Sequence, residues 1–210
     1  MFFFFIRSIA VPLARLLFRV RVEGAEFIPM TGAVMLVGNH QSNLDPVFIS
    51  FSNPRRLFAM GKAELFVNPL SRWFYTHLGA RPIERGKPDR KGLKVILDLF
   101  YQGEVVIVFP EGGRNHNPGL GPMEPGIAFI ADLVDPLILP AGVTGSGRIW
   151  PKGAKFPRFP RVVVRFGRPF RVSELFPRDK AASAADKKAR QAAVLEYVAG
   201  RIKDLSDDAY

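Results

Sequence analysis

Five short apolar runs constrain the fold more than any other feature of the chain: Val34–Val37, Leu57–Met60, Val105–Phe109, Leu137–Leu139 and Val162–Phe166. Several are β-branched, and most are bounded by Gly, Pro or Asn, which is how buried strands read. Helical patterns lie between them. Leu93, Ile96, Leu97 and Phe100 recur at i, i+3, i+4 and i+7, with Pro88 near the start and Gly103 just past the end. Pro69–Leu78 and Glu124–Val134 give two further helical segments. A charged, Ala-rich stretch from Arg178 to Ala193 leads into a C-terminal helix with Val194, Tyr197, Val198, Ile202 and Leu205 on one stripe. Strands alternating with helices predict an α/β fold: one domain with a mixed, largely parallel sheet flanked by helices on covered faces. A length of 210 residues suits one such domain and leaves ample chain for a core. The expected organisation is an N-terminal helix over residues 1–20 and an α/β domain with a C-terminal helix over 21–210.

The first segment, Met1-Phe-Phe-Phe-Phe-Ile-Arg7 through Arg19, is too often interrupted to span a membrane. Arg7, Arg15 and Arg19 break a run that would need about 20 apolar residues. It is no signal peptide either, because Phe2 to Phe5 follow Met1 directly where positive charge belongs. On a helical wheel the three arginines fall within about 120° of one another, with Phe3, Phe4, Ala10, Leu13, Ala14 and Leu17 largely off that arc. The pattern predicts an amphipathic helix at a membrane surface, with Phe and Leu in the acyl boundary and Arg at lipid phosphates.

Charge narrows the partner. Lys and Arg number 30 against 19 Asp and Glu, a formal charge of +11, which calls for nucleic acid, anionic lipid or a phosphorylated substrate. The absence of Cys excludes a disulfide scaffold, a thiolate zinc site and a cysteine nucleophile. A basic tract runs from Arg148 to Arg171 without an acidic residue, interleaved with Trp150, Phe156, Phe159, Phe166 and Phe170. Such a tract suits single-stranded nucleic acid or an anionic membrane. It reads equally as a strand with buried Val162, Val164 and Phe166 between solvated basic positions. No nucleic-acid-binding motif accompanies it, so the strand and the membrane are preferred.

The segment richest in chemistry is Val34-Met-Leu-Val-Gly-Asn-His-Gln-Ser-Asn-Leu-Asp-Pro46. A buried strand runs into His40, and Asp45-Pro46 opens the next helix, where Asp suits an N-cap and Pro the first turn. His-x4-Asp spacing is common by chance, and Asp45 as a simple cap is the plainer alternative. At the mouth of a sheet, however, a carboxylate beside an imidazole is a base with its orienter. No Gly-x-Ser-x-Gly elbow offers a serine nucleophile, and His77 and His116 stand at no metal-ligand spacing from His40. A base without a nucleophile points to direct activation of a substrate hydroxyl. Gly79-Ala-Arg-Pro-Ile-Glu-Arg85 and Val105-Val-Ile-Val-Phe-Pro-Glu-Gly-Gly-Arg114 supply cations after apolar strands. Gly112 and Gly113 let the backbone approach an anion, and Arg114 can hold phosphate bidentately. Singly, Arg85 is also a solvated rim charge, and Glu111 with Arg114 an ion pair at a tight turn.

In this order, Asn39–Pro46, Lys62-Ala-Glu-Leu-Phe66, Gly79–Arg85, Phe109–Arg114 and Leu139-Pro140 resemble the sequence blocks of the glycerolipid acyltransferases, of the 1-acyl-sn-glycerol-3-phosphate acyltransferase type. The resemblance covers roughly residues 20 to 170 and implies roles residue by residue. His40 is the base and Asp45 its orienter. Arg85, Glu111, Gly112 and Arg114 bind the glycerophosphate, and Lys62 lies near the reacting carbonyl. One departure is Gly113, where the family usually has Thr.

The resemblance further implies transfer of an acyl group from a thioester to the free hydroxyl of lysophosphatidic acid, giving phosphatidic acid. Acyl-CoA or acyl-carrier protein is the co-substrate, and no metal or other cofactor is needed. The expected setting is peripheral, on the anionic cytoplasmic face of the cell membrane, with no nucleic acid. The alternatives are another lysolipid or lipid-linked acceptor and, in a different class, a non-enzymatic basic module that binds lipid or nucleic acid.

Overall fold

The computed structural model describes residues 2–84, 89–115, 120–151, 153–179 and 181–206. Seven strands among them form one sheet: β1 (Arg21–Glu23), β2 (Val34–Gly38), β3 (Leu57–Lys62), β4 (Ala80–Ile83), β5 (Val105–Val108), β6 (Leu137–Thr144) and β7 (Val163–Phe166). Their order is β1-β7-β6-β2-β5-β3-β4. Every neighbouring pair is parallel except β6 with β7. All five apolar runs form strands, and β6 extends well past Leu139. The two edge strands, β1 and β4, lie outside those runs. Both are short and interrupted by charged residues, Arg21 and Glu23 in β1 and Arg81 in β4, so they lack the apolar continuity that marks central strands.

Alternation along β2 divides the core. Met35 and Val37 join Phe58, Val106 and Ile138 beneath α4 (Arg90–Tyr101), α5 (Gly126–Val134) and α7 (Ala184–Ser206). Val34 and Leu36 join Leu57, Ile107, Leu139 and Val164 beneath α1 (Phe2–Phe18) and α2 (Asp45–Ser52). The sheet is thus the middle of three layers. Two short helices complete the fold: α3 (Pro69–His77), which lies near β4, and α6 (Val172–Leu175). The Ala-rich stretch does not merely precede the C-terminal helix. From Ala184 onward it is that helix, and Val194, Val198 and Ile202 dock the helix on the sheet.

Helix α1 departs from its expected orientation. Arg7 turns inward and donates to the carbonyls of Pro54 at 3.1 Å and Phe51 at 3.4 Å, at the end of α2. Burial, with the like charge of Arg15 added, lowers the pKa of its guanidinium. The exposed face instead carries Phe4, Phe5, Ile9, Leu13, Leu16 and Leu17. The wheel grouped Arg7 with Arg15 and Arg19, but it could not foresee the carbonyls waiting at the end of α2. No helix among the described residues is long and apolar enough to cross a membrane. The tract after Arg148 follows its strand reading, with Val162, Val164 and Phe166 buried.

Candidate active site

The site forms at the carboxyl ends of the central strands, where β2 separates β5, β3 and β4 from β6, β7 and β1. Open α/β sheets leave a crevice at such a switch in strand order. Beyond β2, Asn39 is fully buried, and its side chain donates to Val143 O at 2.9 Å and accepts from Val143 N at 2.8 Å. This pair fastens the loop to β6 and brings His40 out over the sheet edge.

His40 Nδ1 lies 3.0 Å from Asp45 Oδ2. The same oxygen accepts the backbone N–H groups of Gln41 and Ser42, each at 2.7 Å. Asp45 therefore does not cap its helix. Leu44 occupies the N-cap position, and the carboxylate folds back to hold the loop that carries the imidazole. Asp45 is fully buried, and its Oδ1 has no hydrogen-bond partner among the described residues. A buried carboxylate held this way fixes the tautomer: Nδ1 keeps its proton toward Asp45, and Nε2 is left as the basic nitrogen. The ring of Phe109 stacks on the imidazole with centroids 4.0 Å apart and planes 16° from parallel, which fixes its tilt.

Glu111 reaches the same loop. Its Oε1 accepts His40 N–H at 3.0 Å, and its Oε2 accepts Gly121 N–H at 2.9 Å. Asn115 N–H donates to the His40 carbonyl at 2.7 Å. Both Glu111 oxygens are thus engaged by backbone, so this side chain ties the segment after β5 to the histidine loop. That positioning work differs from direct contact with the acceptor. The turn is closed by Gly112 N–H to Phe109 O at 3.1 Å and Glu124 N–H to Pro110 O at 2.7 Å. Gly112 sits at φ +64°, a conformation that favours glycine.

Arg114 is exposed at the end of this turn and has no ion-pair partner among the described residues. It lines a cleft of about 740 Å³ with Gln41, Ser42, Asn43 and Ser146 at the polar side and Ile149, Trp150, Phe159 and Phe18 at the apolar side. Lys62 ends β3, exposed, on the same carboxyl-end side of the sheet, with no hydrogen bond to the His40–Asp45 pair. Arg85 lies outside the described residues, as do His116 and Lys152. His77 takes no part: its Nδ1 pairs with Trp73 O at 2.7 Å within α3.

The folded arrangement thus unites His40, Asp45, Glu111 and Gly112 and sets Arg114 in the adjoining cleft. Asn39 and Phe109 contribute without having been singled out. Asn39 stands in the motif, but its partner is 104 residues away. Phe109 reads in sequence only as the last apolar residue of a strand.

The family model for acyltransferases matches residues 19–144, more than half of the chain. A chloroplastic 1-acyl-sn-glycerol-3-phosphate acyltransferase of Arabidopsis thaliana is 29% identical over 141 residues, covering 66% of this chain and 39% of that protein. A 1-acyl-sn-glycerol-3-phosphate acyltransferase of Bacillus subtilis is 26% identical over 192 residues, covering 90% of this chain and 88% of its own. The chain thus spans about two fifths of the Arabidopsis chloroplastic relative and of a chloroplastic one of Brassica napus, at 39% and 41%, and most of the bacterial one. The crystal structure of the 1-acyl-sn-glycerophosphate acyltransferase of Thermotoga maritima has the same fold, with a TM-score of 0.63 and 22% identity, covering 91% of this chain and 79% of that one. With His40 and Asp45 paired inside the matched region, the chain belongs to the acyltransferase family.

Proposed function

We propose that the protein transfers a fatty acyl group from a thioester, on CoA or acyl-carrier protein, to the free hydroxyl of lysophosphatidic acid at an anionic membrane surface on the cytoplasmic side. The observation that carries this reading is the His40–Asp45 pair at 3.0 Å beside an amphipathic cleft containing Arg114. The acceptor's hydroxyl proton passes to His40 Nε2 as its oxygen attacks the thioester carbonyl carbon. The resulting oxyanion collapses, the C–S bond breaks, and His40 returns the proton to the departing thiolate. Asp45 holds the imidazole and stabilises its charged form, a contribution of about 10² to 10⁴ in rate for the base as a whole. Lys62 is the side chain assigned to the carbonyl oxygen as it gains negative charge. Arg114, with Arg85, takes the acceptor phosphate, and Glu111 and Gly112 keep the turn in place for it.

The names of the relatives support lysophosphatidic acid as acceptor. The exposed apolar face of α1 and the charge of +11 support a lipid surface as the setting. The test is thiol release from acyl-CoA by the purified protein, with and without lysophosphatidic acid. Release that depends on the acceptor and disappears in His40→Ala is expected. Full release in a folded His40→Ala variant excludes the reading.

A further inference from the structure

The only two tryptophans of the chain, Trp73 and Trp150, stand near opposite ends of α1. At the N-terminal end the Phe2 ring lies 4.9 Å from the Trp73 ring on α3. At the C-terminal end Phe18 packs on Phe159 at 5.5 Å, and Arg19 donates to the Phe159 carbonyl at 3.1 Å. Those contacts fasten α1 to a segment, residues 149–151 and 153–160, which carries Trp150. A helix of 17 residues is about 25 Å long, so the two attachments are well separated along it.

Both flanking elements show apolar side chains to solvent. On α3, Leu70 is 73% exposed and Trp73 47%. In the segment, Trp150 is 62% exposed and Phe156 79%. With the outer face of α1 they add to the large apolar side chains left exposed to water, more than scattered surface residues would explain. Tryptophan at both ends suits the level of lipid head groups, where an amphipathic ring is half in hydrocarbon and half in water. The Trp150 N–H is already bonded to Ala154 O at 3.1 Å, so its ring can enter lipid without stranding a donor.

Charge selects the occupant. Arg72 on α3, Arg15 on α1, Arg19 just past its end, and Lys155 and Arg158 in the segment are all exposed. A second copy would set cation against cation, whereas a leaflet of anionic phospholipid complements them. We infer that α3 and the segment that carries Trp150 and Phe156 are two further lipid anchors, one at each end of α1, and that the three elements together seat the protein on an anionic leaflet. This rests on the acceptor reading above and extends it to the route of entry. The cleft that holds Arg114 is lined by Phe18, Trp150 and Phe159, so its apolar side opens at this foot. A lysophospholipid can then bring its phosphate to Arg114 while its chain stays in lipid.

The test uses two single-tryptophan forms of the full chain, Trp150→Phe and Trp73→Phe, with vesicles of phosphatidylcholine and phosphatidylglycerol whose acyl chains carry bromine. In each form the remaining indole is expected to move its emission to shorter wavelength and to be quenched by the brominated chains. Leu70→Asn, at an exposed position, is expected to weaken vesicle partitioning about tenfold. Emission from Trp73 that neither shifts nor is quenched while the protein sediments with vesicles overturns α3 as an anchor, and the same outcome for Trp150 overturns the segment. A lipid-free dimer that Leu70→Asn dissociates, with partitioning unchanged, also overturns the inference. Thiol release with a short-chain lysophosphatidic acid dissolved as monomer reports separately on acyl transfer. It is expected to survive in Leu70→Asn, and its absence from the unaltered protein counts against the functional reading alone.

Discussion

Asp45 Oδ2 meets His40 Nδ1 at 3.0 Å and also accepts two backbone N–H groups of the loop between them. One oxygen therefore does two jobs, and two substitutions separate them. Asp45→Asn keeps an acceptor for the Gln41 and Ser42 amides but removes the charge that supports a protonated imidazole. It should stay folded and lose about 10² to 10⁴ in kcat. Asp45→Ala strands both amides in addition, and should lower stability by about 3 kcal/mol. Thiol release and thermal melts on the same preparations measure the two effects. Equal melting temperatures for both variants would show that the loop does not depend on this carboxylate.

Glu111 is tied down on its far side by Gly121. A Cβ on Gly121 would come within 2.9 Å of Glu111 Oε2 and 3.3 Å of Asn115 Nδ2. Gly121→Ala must therefore displace the carboxylate that holds His40 N–H. The expected outcome is a loss of about tenfold or more in kcat/KM, because positioning errors near an ångström are costly in rate. Stability should fall by only about 1–2 kcal/mol. A crystal structure or steady-state kinetics that finds Glu111 and the rate unmoved would refute this.

Much of this architecture is legible in the sequence, and the reasons are physical. The central strands β2, β5 and β6 announce themselves because burial on both faces demands unbroken apolar runs. His40 and Asp45 are visible because their pairing is local, five residues apart, and their motif follows a strand. Three features were not legible. Asn39 is paired with Val143, Glu111 with Gly121, and Arg7 with the end of α2, all through backbone groups, and any residue type offers those. Edge strand β1 is set by its parallel register with β7, Arg21 opposite Val163, which is 142 residues away. Local patterning carries no record of such distant partners.

The β6–α7 contact is a second place where a small residue is obligatory. A Cβ on Gly142 would lie 2.2 Å from Leu205 O and 2.5 Å from Leu205 C, both backbone atoms. Gly142→Ala must lift the end of α7, where Ile202 and Ser206 are buried. A loss of about 3 kcal/mol or more is expected, at the upper end of overpacking. A protein of this size should melt about 6–12 °C lower. Calorimetry on the variant decides, and an unchanged melting temperature would mean that α7 is not held to β6 here.

Acid should weaken the start of α4. Asp89 caps that helix, its Oδ1 taking Gly92 N–H at 2.8 Å and its Oδ2 taking Glu84 N–H at 2.9 Å. These bonds, that from Gly92 first, hold its carboxyl below the ordinary aspartate range. A depressed folded pKa means stability that is present above the unfolded value and lost as pH falls through the folded one, from roughly pH 4 downward. Asp89→Ala should therefore melt lower than the unaltered protein at pH 7, and the gap should close on acidification. Asp89→Ser, which caps without titrating, should keep its advantage over Ala at all these values. A gap that persists unchanged at pH 2 would assign the effect to something other than this carboxylate.

Gly113 offers a test of acceptor recognition that does not disturb the base. It stands between Gly112 and Arg114, at the one departure from the block that the chain resembles, and a Cβ there would meet nothing within 4 Å. Its φ lies outside the range that favours glycine. Gly113→Thr should therefore fold with stability within about 0.5 kcal/mol of the original. The added hydroxyl stands beside the Arg114 cleft, so it should change KM for the phosphorylated acceptor and leave KM for the thioester as it was. A hydrogen bond to a charged phosphate is worth about 1.5–3 kcal/mol, so the acceptor KM should fall roughly tenfold or more. Kinetics with lysophosphatidic acid and an uncharged monoacylglycerol, run side by side, check the assignment. An equal change for both acceptors would detach this turn from the phosphate.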